Sequence, residues 1–308
     1  LPESIGNAIR ELAEGEDIPN NTSLTELSGL SPVEMRLFRE VWDKLNTERR
    51  IQTINRLLEL AEDNLELNFD TIFRYCLSDF EEDIRCLAID GLWENEDTSL
   101  IDPLIKLLEE DESDKVQSAA ATALGKYAVL AELGKLRSET VEKVQEALLG
   151  AIDDRNKSTE VIRRVLESAA PLSVPDVQEA ISDAYNSNDH DLMISAIYSM
   201  GKSCDSSWLP ILLKEMENDD PEIRYEAAGA CGELEDERAV PVLIRLANGD
   251  DDIDVRMAAI QSLGKIGSLS ARDCLKLCLV SDNDAVKKAA EEALQNIDAT
   301  DDPLSFRM

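Results

Sequence analysis

The chain has little histidine, few aromatics and few bases. Of its 308 residues one is histidine, His190, so a metal site built on imidazoles has almost nothing to use. Aromatics make up 4%, which suits packed helices better than a β-sandwich. Lys and Arg number 31 against 65 Asp and Glu, a formal charge of −34 at pH 7. Such a surface repels phosphate backbones and anionic headgroups, so neither nucleic acid nor membrane is an expected partner. It favours basic partners and fast encounter with them. No apolar run approaches the roughly 18 residues needed to span a bilayer. No signal peptide is visible, although the chain opens on Leu1 rather than Met. No C-x-x-C pair, P-loop, G-x-G-x-x-G, H-E-x-x-H or nucleophile–base constellation occurs. No enzymatic activity and no cofactor are therefore expected.

What is present is a repeat. Apolar residues make up 43% of the chain, ample for a core, with Ala and Leu dominant. A phrase running from Asp254 through Val255, Arg256, Ala258 and Ala259 to Gly264 returns at Glu222–Gly232 and at Asp191–Gly201. It returns more loosely at Asp83–Leu92, Val116–Gly125 and Val286–Leu294. Its first apolar position falls on Ile84, Val116, Val161, Leu192, Ile223, Val255 and Val286, 31 or 32 residues apart except for one step of 45. Between anchors lies a second apolar segment with proline in its first turn, such as Ala239-Val240-Pro241 or Leu209-Pro210-Ile211. Acidic turns join the two, and their carboxylates suit the N-terminus of the second helix. Each unit therefore reads as a helical hairpin that cannot bury its apolar face alone. Stacked hairpins share one core, and the Ala-Ala step lets neighbouring second helices pack closely.

The phrase D-x-V-R-x-x-A-A-x-x-L-G, preceded by A-V-P-x-L, resembles the short HEAT-like repeats of the phycobilisome-lyase type. The resemblance covers residues 83–298 apart from the long step. It implies an all-α fold, an α-solenoid of about eight hairpins whose second helices line a concave face. It also implies that Asp83, Arg85, Arg224, Asp254 and Arg256, the Asp and Arg of the phrase, form a polar ladder between neighbouring units. Deoxyhypusine hydroxylases share this architecture but bind two irons through several His-Glu pairs, which a chain with only His190 lacks. HEAT-like DNA glycosylases present a basic face to phosphate, which the charge opposes. Bilin lyases share the short repeat, but no bilin site is evident.

At 100° per residue, positions three, seven and ten of the phrase point into the groove. Ile194, Tyr198, Tyr225 and Met257 are then expected side by side across three repeats, with Gln261 next to them and Trp93 near the N-terminal end. Aromatics and methionine are favoured anchors at interfaces, so these six residues are the candidate partner-binding set. The expected function is a scaffold or adaptor that holds a protein or peptide in the cytoplasm, with basic partners favoured by the charge. The alternatives are an accessory lyase or chaperone for a cofactor-bearing protein, or an acidic chaperone for basic nucleic-acid-binding proteins.

Three local features allow other chemistry. Cys274 and Cys278 lie i,i+4 on one helix face. The six cysteines (with Cys76, Cys86, Cys204 and Cys231) nevertheless read as reduced thiols, five of them in apolar helical text. Gly249-Asp250-Asp251-Asp252-Ile253-Asp254 invites calcium but lacks the twelve-residue loop ending in Glu. Asp189-His190-Asp191 reads as an exposed turn. The expected organisation is an N-terminal helix and linker over 1–30, degenerate capping repeats over 31–82, the repeat array over 83–298 with an insertion within about 128–158, and a tail over 299–308.

Overall fold

The computed structural model describes residues 3–14 and 20–301. The stretch 15–19 of the expected linker and residues 302–308 of the expected tail lie outside the described residues. Eighteen α-helices occur among the described residues, with no strand. In order they are α1 (Glu3–Glu14), α2 (Asn21–Thr25), α3 (Pro32–Trp42), α4 (Thr47–Asp63), α5 (Asp70–Cys76) and α6 (Glu82–Gly91). Then follow α7 (Ile101–Glu110), α8 (Asp114–Glu132), α9 (Ser138–Asp153), α10 (Thr159–Ala169), α11 (Pro175–Tyr185) and α12 (His190–Lys202). The last six are α13 (Leu209–Glu215), α14 (Pro221–Leu234), α15 (Val240–Gly249), α16 (Ile253–Ile266), α17 (Leu269–Cys278) and α18 (Asp284–Asp301). From α3 onward they pair into eight successive hairpins, the organisation of an α-solenoid. The surplus residues of the 45-residue step are taken up as helix: α8 has 19 residues and α9 has 16.

The chain forms two compact units. The first comprises residues 1–127 with 156–161 and the second residues 128–155 with 162–308. In the first, Ser31-Pro32-Val33-Glu34 starts α3 with a reciprocal cap. The Ser31 side chain accepts from the Glu34 N–H, and the Glu34 carboxylate accepts from the Ser31 N–H at 2.8 Å. Phe38 and Trp42, stacked with ring centroids 5.3 Å apart, fill the core beneath it.

In the second unit, the second helices α12, α14, α16 and α18 pack in series. Their approach is set by glycine. A Cβ on Gly201 of α12 would meet the Ala230 Cα of α14 at 2.7 Å. One on Gly232 would meet the Ser262 Cα of α16 at 2.9 Å, and one on Gly264 the Ala293 Cβ of α18 at 2.7 Å. Ala227, Ala228, Ala258, Ala259, Ala289 and Ala290 continue the thin seam, all buried. Aspartates start these helices: the side chains of Asp189, Asp220 and Asp252 accept the first free N–H groups of α12, α14 and α16. Asp97, Asp205 and Asp236 do the same for the single 3-10 turns that lead into α7, α13 and α15.

A second cross-link joins three of the hairpins to the next. Arg224 on α14 reaches Asp250, in the turn between α15 and α16, through two bonds of 2.8 Å, and donates to the Asn218 and Asp219 carbonyls of its own turn. In the first unit Arg85 makes a similar set, with one bond to Asp111 at 2.7 Å and others to the Asp79 and Phe80 carbonyls. Arg50 pairs with Asp79 at 2.5 Å, and Asp79 also accepts the Trp42 indole N–H at 2.9 Å. Each of the three aspartates also accepts the backbone N–H two residues on, tightening its turn. The Arg224 hydrogen bond holds the Asp250 carboxyl below the usual carboxylate range. Asp83 pairs instead with Lys115 at the surface. Arg256 donates to the Ala247 carbonyl of its own hairpin, and exposed Asp254 makes no side-chain ion pair among the described residues. The turn position that would serve Arg256 holds Ser281, which caps the Asn283 N–H.

Replacing Gly201 with alanine should cost about 1–3 kcal/mol through overpacking. Replacing Gly229, which has nothing within 4 Å of its would-be Cβ, should gain about 0.5–1 kcal/mol. Urea unfolding followed by far-UV circular dichroism separates the two. The same assay should show Asp250→Ala costing about 3 kcal/mol by stranding Arg224, while Asp254→Ala stays within about 0.5 kcal/mol.

Candidate interaction face

The sequence-expected set divides between the units. Trp93 lies in the first, in the turn after α6, and is 54% exposed. The other five lie in the second. Tyr198 on α12 and Tyr225 on α14 are 37% and 45% exposed. On α16, Met257 is half-buried and Gln261 exposed. Ile194 corrects the expectation: it is 8% exposed and belongs to the core. It sits at the edge of the expected arc on α12, which packs against α14. The outward character of this face comes from the tyrosines and the polar groups around them.

Those polar groups form a chain from α10 to α16. Arg164 pairs with Glu167 at 2.8 Å, and Glu167 accepts the buried Ser195 hydroxyl at 2.6 Å. Arg163 donates to the same hydroxyl at 3.0 Å. The Lys202 ammonium lies 5.5 Å from the Tyr198 ring centroid and 3.3 Å from Glu233, which also binds Lys265 at 2.6 Å. Burial pushes the Tyr198 hydroxyl upward, with Glu167, Glu226 and Glu233 adding to the rise and Lys202 opposing it.

Glu226 is the residue that sequence reasoning missed. It is half-buried on α14, and no hydrogen bond or ion pair reaches it among the described residues. Burial pushes its carboxyl up to about 7, helped by Glu167 and Glu222, and Lys202 offsets only part of this. The available signal was a glutamate in a column that holds Ala119, Ser195, Ala258 and Ala289 in four of the other repeats, and Leu87 and Arg164 in the remaining two. The face can therefore offer two ring faces, a methionine and an uncompensated acid to a partner, but no nucleophile with a base.

The other candidate features are occupied by structure. Asp250 and Asp252 of the acidic run are engaged by Arg224 and by the α16 N-terminus. His190 bonds to Asp220 at 2.8 Å, and that bond raises its pKa. Cys274 and Cys278 are buried on α17, and the hydrogen bond between their thiols raises the first and lowers the second. No three His, Cys, Asp or Glu side chains are arranged to hold a metal among the described residues. Among the same residues no helix is long and apolar enough to cross a membrane.

Hairpins with close-packed second helices, forward Arg–Asp links and an exposed second-helix face define a repeat protein of the HEAT class. Residues 71–157 and 209–295 match the family model for HEAT repeats, and the chain belongs to that family. It is similar to yeast importin-β, Kap95p, at 13% identity and a TM-score of 0.57, over 96% of this chain and 46% of that one. The same protein in its Nup1 complex gives 14% and 0.54 over the same shares, so this chain spans about half the length of importin-β. The CpcE–CpcF complex of phycocyanin lyase from Nostoc sp. gives 17% and 0.52, over 73% of this chain and 86% of that one. No curated protein matches in sequence. At these identities the likeness is one of fold.

Because the folded chain holds the Glu226 proton more tightly than the unfolded chain, stability falls as pH rises from about 4.5 to about 7. Glu226→Gln should therefore be more stable than wild type at pH 8, by on the order of 2 kcal/mol, with the difference fading below pH 5. Urea midpoints at the two pH values test this.

Proposed function

We propose that the protein is a non-enzymatic scaffold or adaptor that holds a partner protein or peptide along the second-helix face of its second unit. The supporting observation is that Tyr198 and Tyr225 stand exposed on adjacent helices of a face whose seam is otherwise alanine, glycine and serine. Large rings presented on a rigid backbone lose little entropy on binding. Met257 and Gln261 extend the face, while Ile194 supports it from below. Glu226, Glu167 and Glu222 favour a basic client, whose lysine or arginine would relieve the buried carboxylate. The family's structural neighbours include one described in complex with Nup1, which supports protein binding as the use of the fold. Six free thiols, four of them buried, support a reducing, cytoplasmic setting. The similarity to a phycocyanin lyase supports a second reading, an accessory factor for a cofactor-bearing protein.

Affinity capture from a lysate of the source organism, at low and at high salt, tests the proposal. The expected result is a salt-resistant partner whose affinity falls about 10–100-fold with Tyr198→Ala/Tyr225→Ala while the helical signal is kept. Unchanged binding by that variant removes the face from the account. Many basic proteins lost at high salt would mean that diffuse charge is the binding principle. A visible absorbance band on the captured material would favour the lyase-like reading.

A further inference from the structure

The first unit carries a groove that the tyrosine face does not explain. The last turn of α4, the loop into α5 and the end of α6 enclose about 640 Å³ of open space. Phe69 and Phe73, packed edge to face 6.4 Å apart, stand at its base, and Leu58 completes the apolar floor. Gly91 is what lets α6 come down on this floor: a Cβ there would lie 2.7 Å from the Phe73 ring. Two large apolar side chains stand open to solvent at the rim, Leu65 at 83% exposure and Trp93.

The charged groups of the lining are all of one sign. Glu62, Asp70, Asp90 and Glu94 line the groove, and no lysine or arginine does. Asp70 accepts the Asn95 amide at 2.5 Å, whereas exposed Asp90 has no hydrogen-bond or ion-pair partner among the described residues. Partial desolvation at the groove wall raises the Asp90 carboxyl above its ordinary value. The nearest base is committed elsewhere. Lys126 donates to the backbone carbonyls of Trp93 at 2.8 Å and Asn95 at 2.5 Å, which fixes the turn bearing the indole.

We propose that this groove is a docking site for a segment of a partner protein that carries one large apolar side chain flanked by lysine or arginine. The apolar side chain would enter between Trp93 and Leu65, removing both from water. The flanking cations would meet the four carboxylates and the indole face, which attracts cations. An acidic segment of the same shape would be repelled by the same groups. The volume suits a short segment rather than a folded surface. The inference does not rest on the Tyr198–Tyr225 face, which belongs to the other unit.

The test uses a fluorescein-labelled dodecapeptide with one central tryptophan among lysines and alanines, and its glutamate-for-lysine counterpart, in polarisation titrations against the full chain. The lysine peptide should bind and the glutamate peptide should not. Trp93→Ala and Glu62→Lys/Glu94→Lys should each weaken binding about tenfold or more, while Trp93→Phe keeps most of it. Tyr198→Ala/Tyr225→Ala should leave it unchanged, so failure of either site is read separately. Glu142→Lys/Glu146→Lys, on exposed positions of α9, controls for net charge. No binding by the unaltered chain overturns the proposal. Equal binding by Trp93→Ala, or equal weakening by the α9 control, also overturns it, because the peptide would then be held by diffuse charge alone.

Discussion

The distance between successive second helices governs the rest of the second unit. Gly201 against Ala230, Gly232 against Ser262 and Gly264 against Ala293 leave no room for a methyl group. Such close seating ties dispersion contacts along the whole seam to the smallest residues. Large side chains must then stand either on the hairpin side, where they form the core, or on the open side. Tyr198 and Tyr225 stand on the open side because the seam cannot take them. Glu226 shows the boundary from within: it is half-buried next to the buried Ala227 and Ala228, and that burial together with the nearby acids pushes its carboxyl up.

The acidity has several physical origins. Six aspartates close helix and 3-10 starts, where N–H groups need acceptors. Asp79, Asp111 and Asp250 serve arginines and tighten turns. These acids are fully accounted for by folding. What remains open to a ligand is narrower than the net charge suggests. Among the acids that stand beside apolar groups are Glu226 on the tyrosine face of the second unit and the carboxylates around Trp93 in the first. A partner with only diffuse positive charge would find few of the acids both unpaired and beside an apolar surface.

The repeat was legible because small residues at fixed spacing are a packing requirement, and each hairpin must meet it. The anchors Ile223, Val255 and Val286 and the cap at Ser31 could be read directly. The arginines of the phrase were visible, but their acceptors were not. Asp111 and Asp250 lie 26 residues further on, in turns whose aspartates look interchangeable on the page. Ile194 was misplaced because a helical wheel gives directions from one axis and ignores the neighbour that covers its edge. Glu226 could have been found by comparing columns rather than faces. The Trp93 groove was legible only as one exposed indole, since its floor comes from Phe69 and Phe73 on another helix. The division into two units has no signal in the phrase, which runs on through it.

The three largely buried Arg–Asp links point one way, whereas exposed Arg245 pairs back to Glu217. Arg50, Arg85 and Arg224 each reach forward to an aspartate in the following hairpin. Each of these guanidiniums therefore depends on a residue of the next hairpin for its counter-charge. Damage to one of these turns strands a cation in the hairpin before it, so the harm travels toward the N-terminus. At Arg256 the corresponding turn position holds Ser281, and the arginine turns back to the Ala247 carbonyl of its own hairpin.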